Sequence, residues 1–330
     1  MASLTSSNTP QHGDTPPLLA WLRALTARPE GRLQLGGAAI CLTLLGLIFW
    51  TNLRHLVHVW MTDENYSHGF LVPLISLYFA NEAARRGPVA LRAGVVPGLA
   101  LLFLAICGRI LATLVPIGVV ADGALLVGLV GLFTLLLGTD ALRRHAFPLA
   151  FLVFMVPLPT ALYSMIASPL QMMVSQVASA LLNAMSIPVL REGNTMTLPG
   201  DVRLFVAEAC SGMRQLTGFL ALTTAVAFLS PRPAWYRVLV VVSSVPIALA
   251  ANLARVTLTG WIMYQDPRYA VGTYHTVEGL LMMGVGLALL AAFCRGLDLV
   301  CGLFTTSTPK EAARPLAVPR SLAGREPAVS

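Results

Sequence analysis

Long, uninterrupted apolar stretches constrain this chain more than any other feature of its sequence. Several of them approach or exceed the ~20 residues that a helix needs to cross a bilayer. Hydrophobic residues make up 56% of the chain and charged residues 11%, and the mean hydropathy of +0.74 excludes an ordinary soluble domain. The runs are continuous and do not alternate as barrel strands do. The sequence therefore predicts an all-α, polytopic transmembrane helical bundle.

The apolar runs predict about eight spanning helices, which form one transmembrane domain from residue 34 to residue 300. Residues 1–33 are predicted to be a partly disordered, cytoplasmic N-terminal segment, and residues 301–330 a disordered cytoplasmic tail. The predicted spans lie near residues 34–51, 68–82, 93–116, 119–139, 146–166, 211–230, 236–261 and 276–296.

Arginine occurs at every second connection between these spans, which is typical of cytoplasmic loops. Both termini are therefore expected in the cytoplasm. The same alternation keeps residues 167–210 on the outer side, where their interrupted apolar run would lie along the surface or re-enter the membrane. Because loops account for the net charge of +7, that charge gives no indication of nucleic-acid binding. The basic connections contain Arg23, Arg28 and Arg32; Arg85, Arg86 and Arg92; Arg143 and Arg144; Arg232 and Arg237; and Arg295.

A small outward-facing β-hairpin or loop is predicted at residues 191–206, where turn-forming residues separate alternating segments. The chain then passes through Glu208 and Cys210 into an apolar span. Cys210 would lie at the outer N-terminal end of that helix. There the helix dipole, together with Arg214 one turn further on, favours a thiolate.

The remaining cysteines have a different setting from Cys210. Cys210 is the one cysteine predicted near the outer surface, so it has no evident disulfide partner there. The others lie in apolar sequence, and we interpret them as small buried hydrophobic residues. They are Cys41, Cys107, Cys294 and Cys301.

Two further polar residues are predicted at the same membrane face. Arg255 lies about two turns from the outer end of its span, with Asn252 on the same helix face, and it either lines a site or extends to the headgroups. His275 begins the last span, where the helix N-terminus disfavours imidazolium and leaves a ring able to exchange protons. Together, Cys210, Arg255 and His275 indicate a cysteine enzyme at the bilayer surface.

Other outer-side polar residues are candidates for substrate binding or support of the site. His68 either lines a substrate groove or only marks a helix end, and Arg109 either takes part in the site or pairs internally. The Val-Pro-Leu-Pro segment at 156–159 is predicted to break a helix. The supporting candidates are Tyr66, His68, Glu208, Arg214 and Asn252.

Several motifs follow one another along the membrane core, from about residue 40 to residue 295. They are Asn65-Tyr66-Ser67-His68-Gly69-Phe70-Leu71-Val72-Pro73, Val156-Pro157-Leu158-Pro159, Glu208-Ala209-Cys210-Ser211-Gly212-Met213-Arg214, Asn252 with Arg255, and His275. Together and in this order, they make the chain similar to the exosortases, bacterial relatives of the archaeosortases.

The resemblance implies a membrane-embedded cysteine protease or transpeptidase with Cys210, Arg255 and His275 in its active site. It also implies secreted substrates that end in a Pro-Glu-Pro-like motif, a transmembrane helix and a basic tail. The cleaved chain would pass through an acyl-enzyme to a membrane lipid or another envelope acceptor. This reaction is expected on the periplasmic face of the bacterial inner membrane, and it requires neither a metal nor an organic cofactor.

Three other functions are compatible with the sequence. A membrane protease that only hydrolyses would use the same residues, because water or an amine can resolve the same acyl-enzyme. A transporter is less consistent, since no repeated halves are evident and the polar residues gather at one edge. A noncatalytic subunit of exopolysaccharide export would tolerate Cys210→Ser.

Overall fold

Helices form nearly all of the part of the chain that the structure describes. The structure, a computed structural model, describes residues 23, 26–27, 29–87, 92–115, 118–206, 212–266 and 273–305. The helices are α1 (Pro29–Ile48), α2 (Trp50–Thr62), a 3₁₀ helix (Glu64–Phe70), α3 (Leu71–Arg85), α4 (Val95–Leu114), α5 (Gly118–Arg144), α6 (Ala146–Phe151), a second 3₁₀ helix (Leu152–Met155), α7 (Thr160–Ala184), α8 (Met213–Leu229), α9 (Ala234–Val242), α10 (Ser244–Gln265) and α11 (Thr273–Thr305).

The predicted helical membrane bundle is confirmed, although fewer helices than the expected eight are long. Within the described residues, six helical stretches are long and apolar enough to cross a membrane. Two predicted spans correspond to shorter helices, α3 with 15 residues and α8 with 17. The predicted span 236–261 is divided at Ser243 into α9 and α10. The domain boundaries at residues 34 and 300 stay a prediction.

The antiparallel pair α4 and α5 packs through glycines. A methyl group on Gly98 would lie 2.6 Å from backbone atoms of Leu135, and one on Gly131 would lie 2.9 Å from the backbone nitrogen of Leu102. Without side chains at these positions, the two backbones approach closely, as small residues allow in membrane helix pairs. Gly138, with φ 87°, interrupts α5 beside the carbonyl of Arg92.

Polar contacts attach the first helices to this pair. The Arg109 guanidinium donates from Nη2 to Oγ1 of Thr51 at 2.8 Å and from Nε to the carbonyl of Ile48 at 3.4 Å. Asn52 donates to the buried Asp122 at 3.4 Å. Arg109 therefore pairs internally, which is one of the two interpretations that the sequence left open.

The single span predicted at 146–166 is wrong. The helical segment from Ala146 ends at Met155, and residues 156–159 separate it from α7. This confirms the predicted break, because the two prolines lack the amide hydrogens that a continuous helix requires. The residues expected to form a separate surface or re-entrant element instead continue α7, which has 25 residues.

The C-terminal half of α7 runs beside the C-terminal half of α10. Val174 and Ala178 pack with Val256, whereas Leu182 lies against Gly260. Residue numbers rise together along both helices, so the two run in the same direction. The N-terminal end of α7 packs elsewhere, with Tyr163 against Met213 at the start of α8.

A three-stranded antiparallel sheet covers these two helix halves. The predicted hairpin is present as β2 (Thr195–Leu198) and β3 (Val202–Phe205), and β1 (Leu190–Glu192) adds a third strand beside β2. Met196 of β2 is fully buried against α7 and α10. The sheet thereby ends immediately before the segment that leads to α8.

Aromatic rings pack the opposite end of α8. Phe228 stacks on Phe147 of α6 with ring centroids 3.9 Å apart, and Phe79 of α3 contacts both rings edge to face. The guanidinium of Arg86 lies 5.1 Å above Phe228. This basic, aromatic end is one full helix length away from the start of α8.

The prediction that four cysteines are buried is wrong in detail. Cys107 is exposed on the surface of α4, and the other three are half-buried: Cys41, Cys294 and Cys301. The apolar outer surface of a membrane helix accommodates a thiol as well as a protein core does, so hydropathy does not separate the two locations.

Candidate active site

A cavity of about 550 Å³ lies between the Glu64–Phe70 3₁₀ helix and helices α8, α10 and α11. One part of its wall is charged or polar, and the other part is aliphatic or aromatic. The polar residues are Glu64, Ser67, His68, Arg214, Gln215 and Arg255, and the large apolar residues are Leu71, Phe219, Leu222, Leu280, Met283 and Leu287. Such a wall suits a peptide segment that has both polar and apolar groups.

Arg255 is the most deeply placed charged group of this wall. It lies in the middle of α10 and is only 2% exposed, although α10 is long and apolar. A charge inside a membrane protein costs considerable free energy and usually marks a functional position. It lines the cavity and does not extend to the headgroups, whereas its role in a site stays a prediction.

Gly212 brings the start of α8 against α10. Its φ of 88° is favourable only for glycine, and a methyl group there would lie 3.1 Å from Nδ2 of Asn252. Asn252 is fully buried, one turn before Arg255 on the same helix. The Gly212 conformation therefore turns the incoming chain into α8 at the level of Asn252.

Two of the predicted site residues precede this glycine. Glu208 and Cys210 lie outside the described residues. Cys210 is two positions before Gly212 in the chain, a separation of about 7 Å at full extension. The position of Cys210 relative to Asn252 and Arg255 stays a prediction.

The backbone of His275 lies in the first turn of α11, and its side chain lies outside the described part of the structure. Gly279, one turn later in α11, lines the cavity. Further along, Gly286 lies directly against the ring of Phe219, which packs α11 onto α8. The backbone of residue 275 is therefore one turn from the cavity wall.

Arg214 forms an ion pair with Glu64 of the 3₁₀ helix. The Arg214 side chain is 26% exposed and that of Glu64 is 75% exposed. The sequence predicted that Arg214 lies near the start of α8, but it gave no indication of Glu64 as its partner. The carboxylate compensates part of the Arg214 charge, which weakens the predicted effect of that charge on a nearby thiol.

His68 lines the cavity, in agreement with the interpretation that it belongs to a groove. Burial lowers the pKa of His68 below its ordinary value, and hydrogen bonds with the backbone of Phe154 and Asn65 oppose this shift. The imidazole is therefore mainly neutral at pH 7 and can donate or accept a hydrogen bond.

Tyr66 supports the site from behind the wall. Its hydroxyl accepts a hydrogen bond from the amide of Leu158 at 3.0 Å, and the side chain is 6% exposed. This contact joins two of the sequence motifs, since Leu158 lies in the Val-Pro-Leu-Pro break. Tyr66 positions that break rather than contacting the cavity.

Two local features hold the 3₁₀ helix in place. Its N-terminus is capped by Asp63, whose Oδ1 accepts from the amide of Asn65 at 2.9 Å. The indole of Trp60 lies directly against Gly69 and donates to the carbonyl of Met155 at 2.9 Å. A larger residue at position 69 would displace this indole.

The described residues hold no group of three or more His, Cys, Asp or Glu side chains arranged for a metal ion. The cavity itself offers other chemistry: guanidinium groups for anions, a neutral imidazole for hydrogen bonding and an apolar wall for hydrocarbon. Ser67 and Gln215 also line it, and the sequence gave no reason to select either.

These features define a polytopic helical membrane protein with a cavity between its helices, one wall of which is polar and the other apolar. The family model of the transmembrane exosortases matches residues 60–292, more than two thirds of the chain, and the chain belongs to that family. The matched range includes Cys210, Arg255 and His275. No curated protein and no solved structure gives a significant match. Family membership indicates a protein-sorting transpeptidase of the membrane.

Proposed function

We propose that this protein is a cysteine transpeptidase that cleaves the C-terminal sorting signal of secreted proteins. The observation that carries the proposal is Arg255, a buried cation that faces a cavity at the level where Gly212 turns the chain into α8. Cys210 precedes that turn by two residues. Membership in the exosortase family supports the same chemistry.

In the first half of the reaction, the Cys210 thiolate attacks the scissile peptide carbonyl and forms a tetrahedral oxyanion. The guanidinium of Arg255 stabilises this oxyanion, because a fixed cation in a partly dry site interacts most strongly with developing charge. His275 protonates the leaving amine as the C–N bond breaks. The products are a thioester on Cys210 and the released C-terminal peptide.

In the second half, an acceptor nucleophile attacks the thioester and His275 removes its proton. Collapse of the second tetrahedral intermediate breaks the C–S bond and regenerates Cys210. The acceptor is a membrane lipid or another envelope component. Water as the acceptor would give a membrane protease in place of a transpeptidase.

The substrate class in this proposal is a secreted protein with a Pro-Glu-Pro-like motif, a transmembrane helix and a basic tail. The two kinds of cavity wall support it, since the motif would meet the polar residues while the adjoining helix would meet the aliphatic ones. Leu280, Met283 and Leu287 of α11 belong to that aliphatic wall.

We place the cavity on the periplasmic side of the inner membrane, with both termini in the cytoplasm. The distribution of arginine supports this orientation, because Arg86 lies at the far end of α8 from the cavity and Arg232 pairs with Asp298 near the far end of α11. The course of α7 is also consistent with it. We place α7 on the cavity side, since it starts beside Met213 and runs along the C-terminal half of α10.

The test is the processing of a co-expressed secreted protein that carries such a C-terminal signal, followed by mass spectrometry. We expect Cys210→Ala, Arg255→Ala and His275→Ala to abolish processing at unchanged membrane levels. Cys107→Ala is the matched control, since that exposed thiol lies on α4. Undiminished processing by Cys210→Ala would refute the nucleophile. The mass of the new C-terminus distinguishes ligation from hydrolysis.

A further inference from the structure

The ion pair between Arg214 and Glu64 joins two cavity-lining residues of unequal burial. The Arg214 side chain is three-quarters buried, whereas the Glu64 side chain is largely in solvent. Exposed ion pairs contribute little to stability, because water solvates a free carboxylate almost as well. Structural stabilisation alone is therefore a weak reason for placing this pair at the site.

The guanidinium of Arg214 has a hydrogen-bond donor that its ion pair with Glu64 does not use. Its Nη2 donates to Glu64, while its buried Nε has no hydrogen-bond acceptor among the described residues. An arginine presents these donors in a planar fork that matches a carboxylate in a bidentate arrangement. A carboxylate entering through the cavity could meet both donors.

The charge of the wall favours an anion. Among the charged side chains that the structure describes in the cavity wall, Arg214 and Arg255 are positive and Glu64 is negative. If Glu64 moves into solvent, an anionic group of the substrate can replace it without leaving a buried cation uncompensated. The exposed carboxylate moves easily, while the buried guanidinium stays in place.

We propose that Arg214 is the specificity-determining subsite for a carboxylate side chain of the substrate, and that Glu64 occupies this subsite until the substrate displaces it. The inference rests on the proposed function and concerns the residue that reads the acidic position of the sorting signal. Glu64 thus acts as an internal competitor. Its removal raises the fraction of enzyme that is ready to bind.

The experiment compares two substrates, one with Glu and one with Gln at the acidic position of the signal, against four enzymes. These are the wild type, Arg214→Gln, Glu64→Gln and Cys210→Ala. Wild type should favour the Glu substrate by roughly ten- to a hundredfold in kcat/KM, the range of a hydrogen bond to a charged group. Arg214→Gln should process both substrates at the lower rate.

Glu64→Gln is the matched control, since it breaks the same ion pair and leaves Arg214 in place. We expect it to keep the preference for Glu and to lower KM severalfold. A purely structural pair predicts that both variants lose activity alike on both substrates. That result, or an unchanged Glu preference in Arg214→Gln, would overturn the inference.

If Arg214→Gln does not accumulate in the membrane, a variant in which the two charges are exchanged provides a second test. The double variant Arg214→Glu with Glu64→Arg retains an ion pair and should favour a Lys substrate over a Glu substrate. Retained Glu preference would overturn the inference. Failure of the wild type on every substrate would refute the proposed function as well, whereas Cys210-dependent processing without any charge preference would refute the Arg214 subsite alone.

Discussion

The α4–α5 pair and the start of α8 both use glycine for close approach, with opposite results. In the pair, Gly98 and Gly131 meet backbone atoms of the neighbouring helix. At α8, Gly212 meets the polar side chain of Asn252 and takes a left-handed conformation. In the α4–α5 pair, the missing side chains allow two apolar helices to pack closely. At the start of α8, the missing side chain leaves room for the buried, polar Asn252.

Arg109 and Arg255, two arginines within long apolar helices, also differ in what surrounds them. Arg109 lies at the surface of α4 and uses its donors on Thr51 and the carbonyl of Ile48. Arg255 is 2% exposed and lies beside a cavity with room for a ligand. An arginine near lipid therefore does not by itself indicate chemistry, and the cavity is what distinguishes Arg255 from Arg109.

The largest expected effect separates these arginines. Arg255→Gln should lower kcat for signal processing by at least about 10²–10³-fold, the loss expected when a group that stabilises an oxyanion is removed. Arg109→Gln should leave processing unchanged. Equal losses in both variants, at equal membrane levels, would show that the two arginines have the same structural role.

The next prediction concerns the glycine-packed pair. Gly98→Ala should lower the free energy of unfolding in detergent by about 1–3 kcal/mol, because the added methyl forces backbones apart. Gly123→Ala in α5 is the control, since it has no neighbouring atom within 4 Å. It should be neutral or stabilising, as alanine favours helix. Chemical denaturation followed by circular dichroism measures both.

Gly212 tests whether close approach at α8 serves the site. Gly212→Ala and Gly200→Ala both place alanine at a positive φ, which costs about 1 kcal/mol or more in each case. At Gly200 the nearest atom is 4.0 Å from the added methyl, whereas Gly212 is in contact with Asn252. We expect a fall in processing rate, about tenfold, only in Gly212→Ala, since about 1.4 kcal/mol is one factor of ten.

If the processing rate falls similarly in Gly212→Ala and Gly200→Ala, backbone strain rather than contact with Asn252 causes the effect. The rates should be measured with the substrate in excess and normalised to enzyme in the membrane. Loss of signal through poor accumulation is thereby separated from loss of catalysis.

The smallest effect concerns pH. Burial lowers the pKa of His68, so between its folded pKa and the ordinary value of about 6.5 the unfolded chain binds more protons. Stability should therefore fall as pH drops below about 6.5 and through the folded pKa. His68→Asn should flatten this part of the curve. The free energy of unfolding of the wild type and of His68→Asn should be measured from pH 7.5 to 5. Identical slopes of this free energy against pH in the two proteins would contradict the prediction.

Hydropathy predicted the bundle but not the course of α7. Polar residues interrupt its apolar run, yet in the structure they bind the sheet: Ser175 donates to the carbonyl of Gly193 at 3.0 Å, and Gln171 accepts from Asn194 at 3.4 Å. A local window counts such residues as unfavourable in a long helix because it does not include their partners. The proline break and the hairpin were predictable because they depend on local backbone chemistry.

The candidate site was predictable only in part for a related reason. Arg255 stood out because a buried charge in an apolar helix is unusual wherever it occurs. Glu64 did not, since its partner Arg214 is 150 residues away and an exposed carboxylate near a helix start is common. Contacts of this kind arise from the three-dimensional packing of helices, which residue spacing does not encode.

The length of α11 relates the enzyme to the thickness of its bilayer. Its apolar part, Gly279–Cys301, has 23 residues and measures about 35 Å, slightly more than a hydrocarbon core of about 30 Å. A helix with this small positive mismatch tilts in a thinner bilayer and straightens in a thicker one. Gly279, at its end, then sets the depth of the cavity relative to the headgroups, so lipid chain length becomes a physical variable of the reaction.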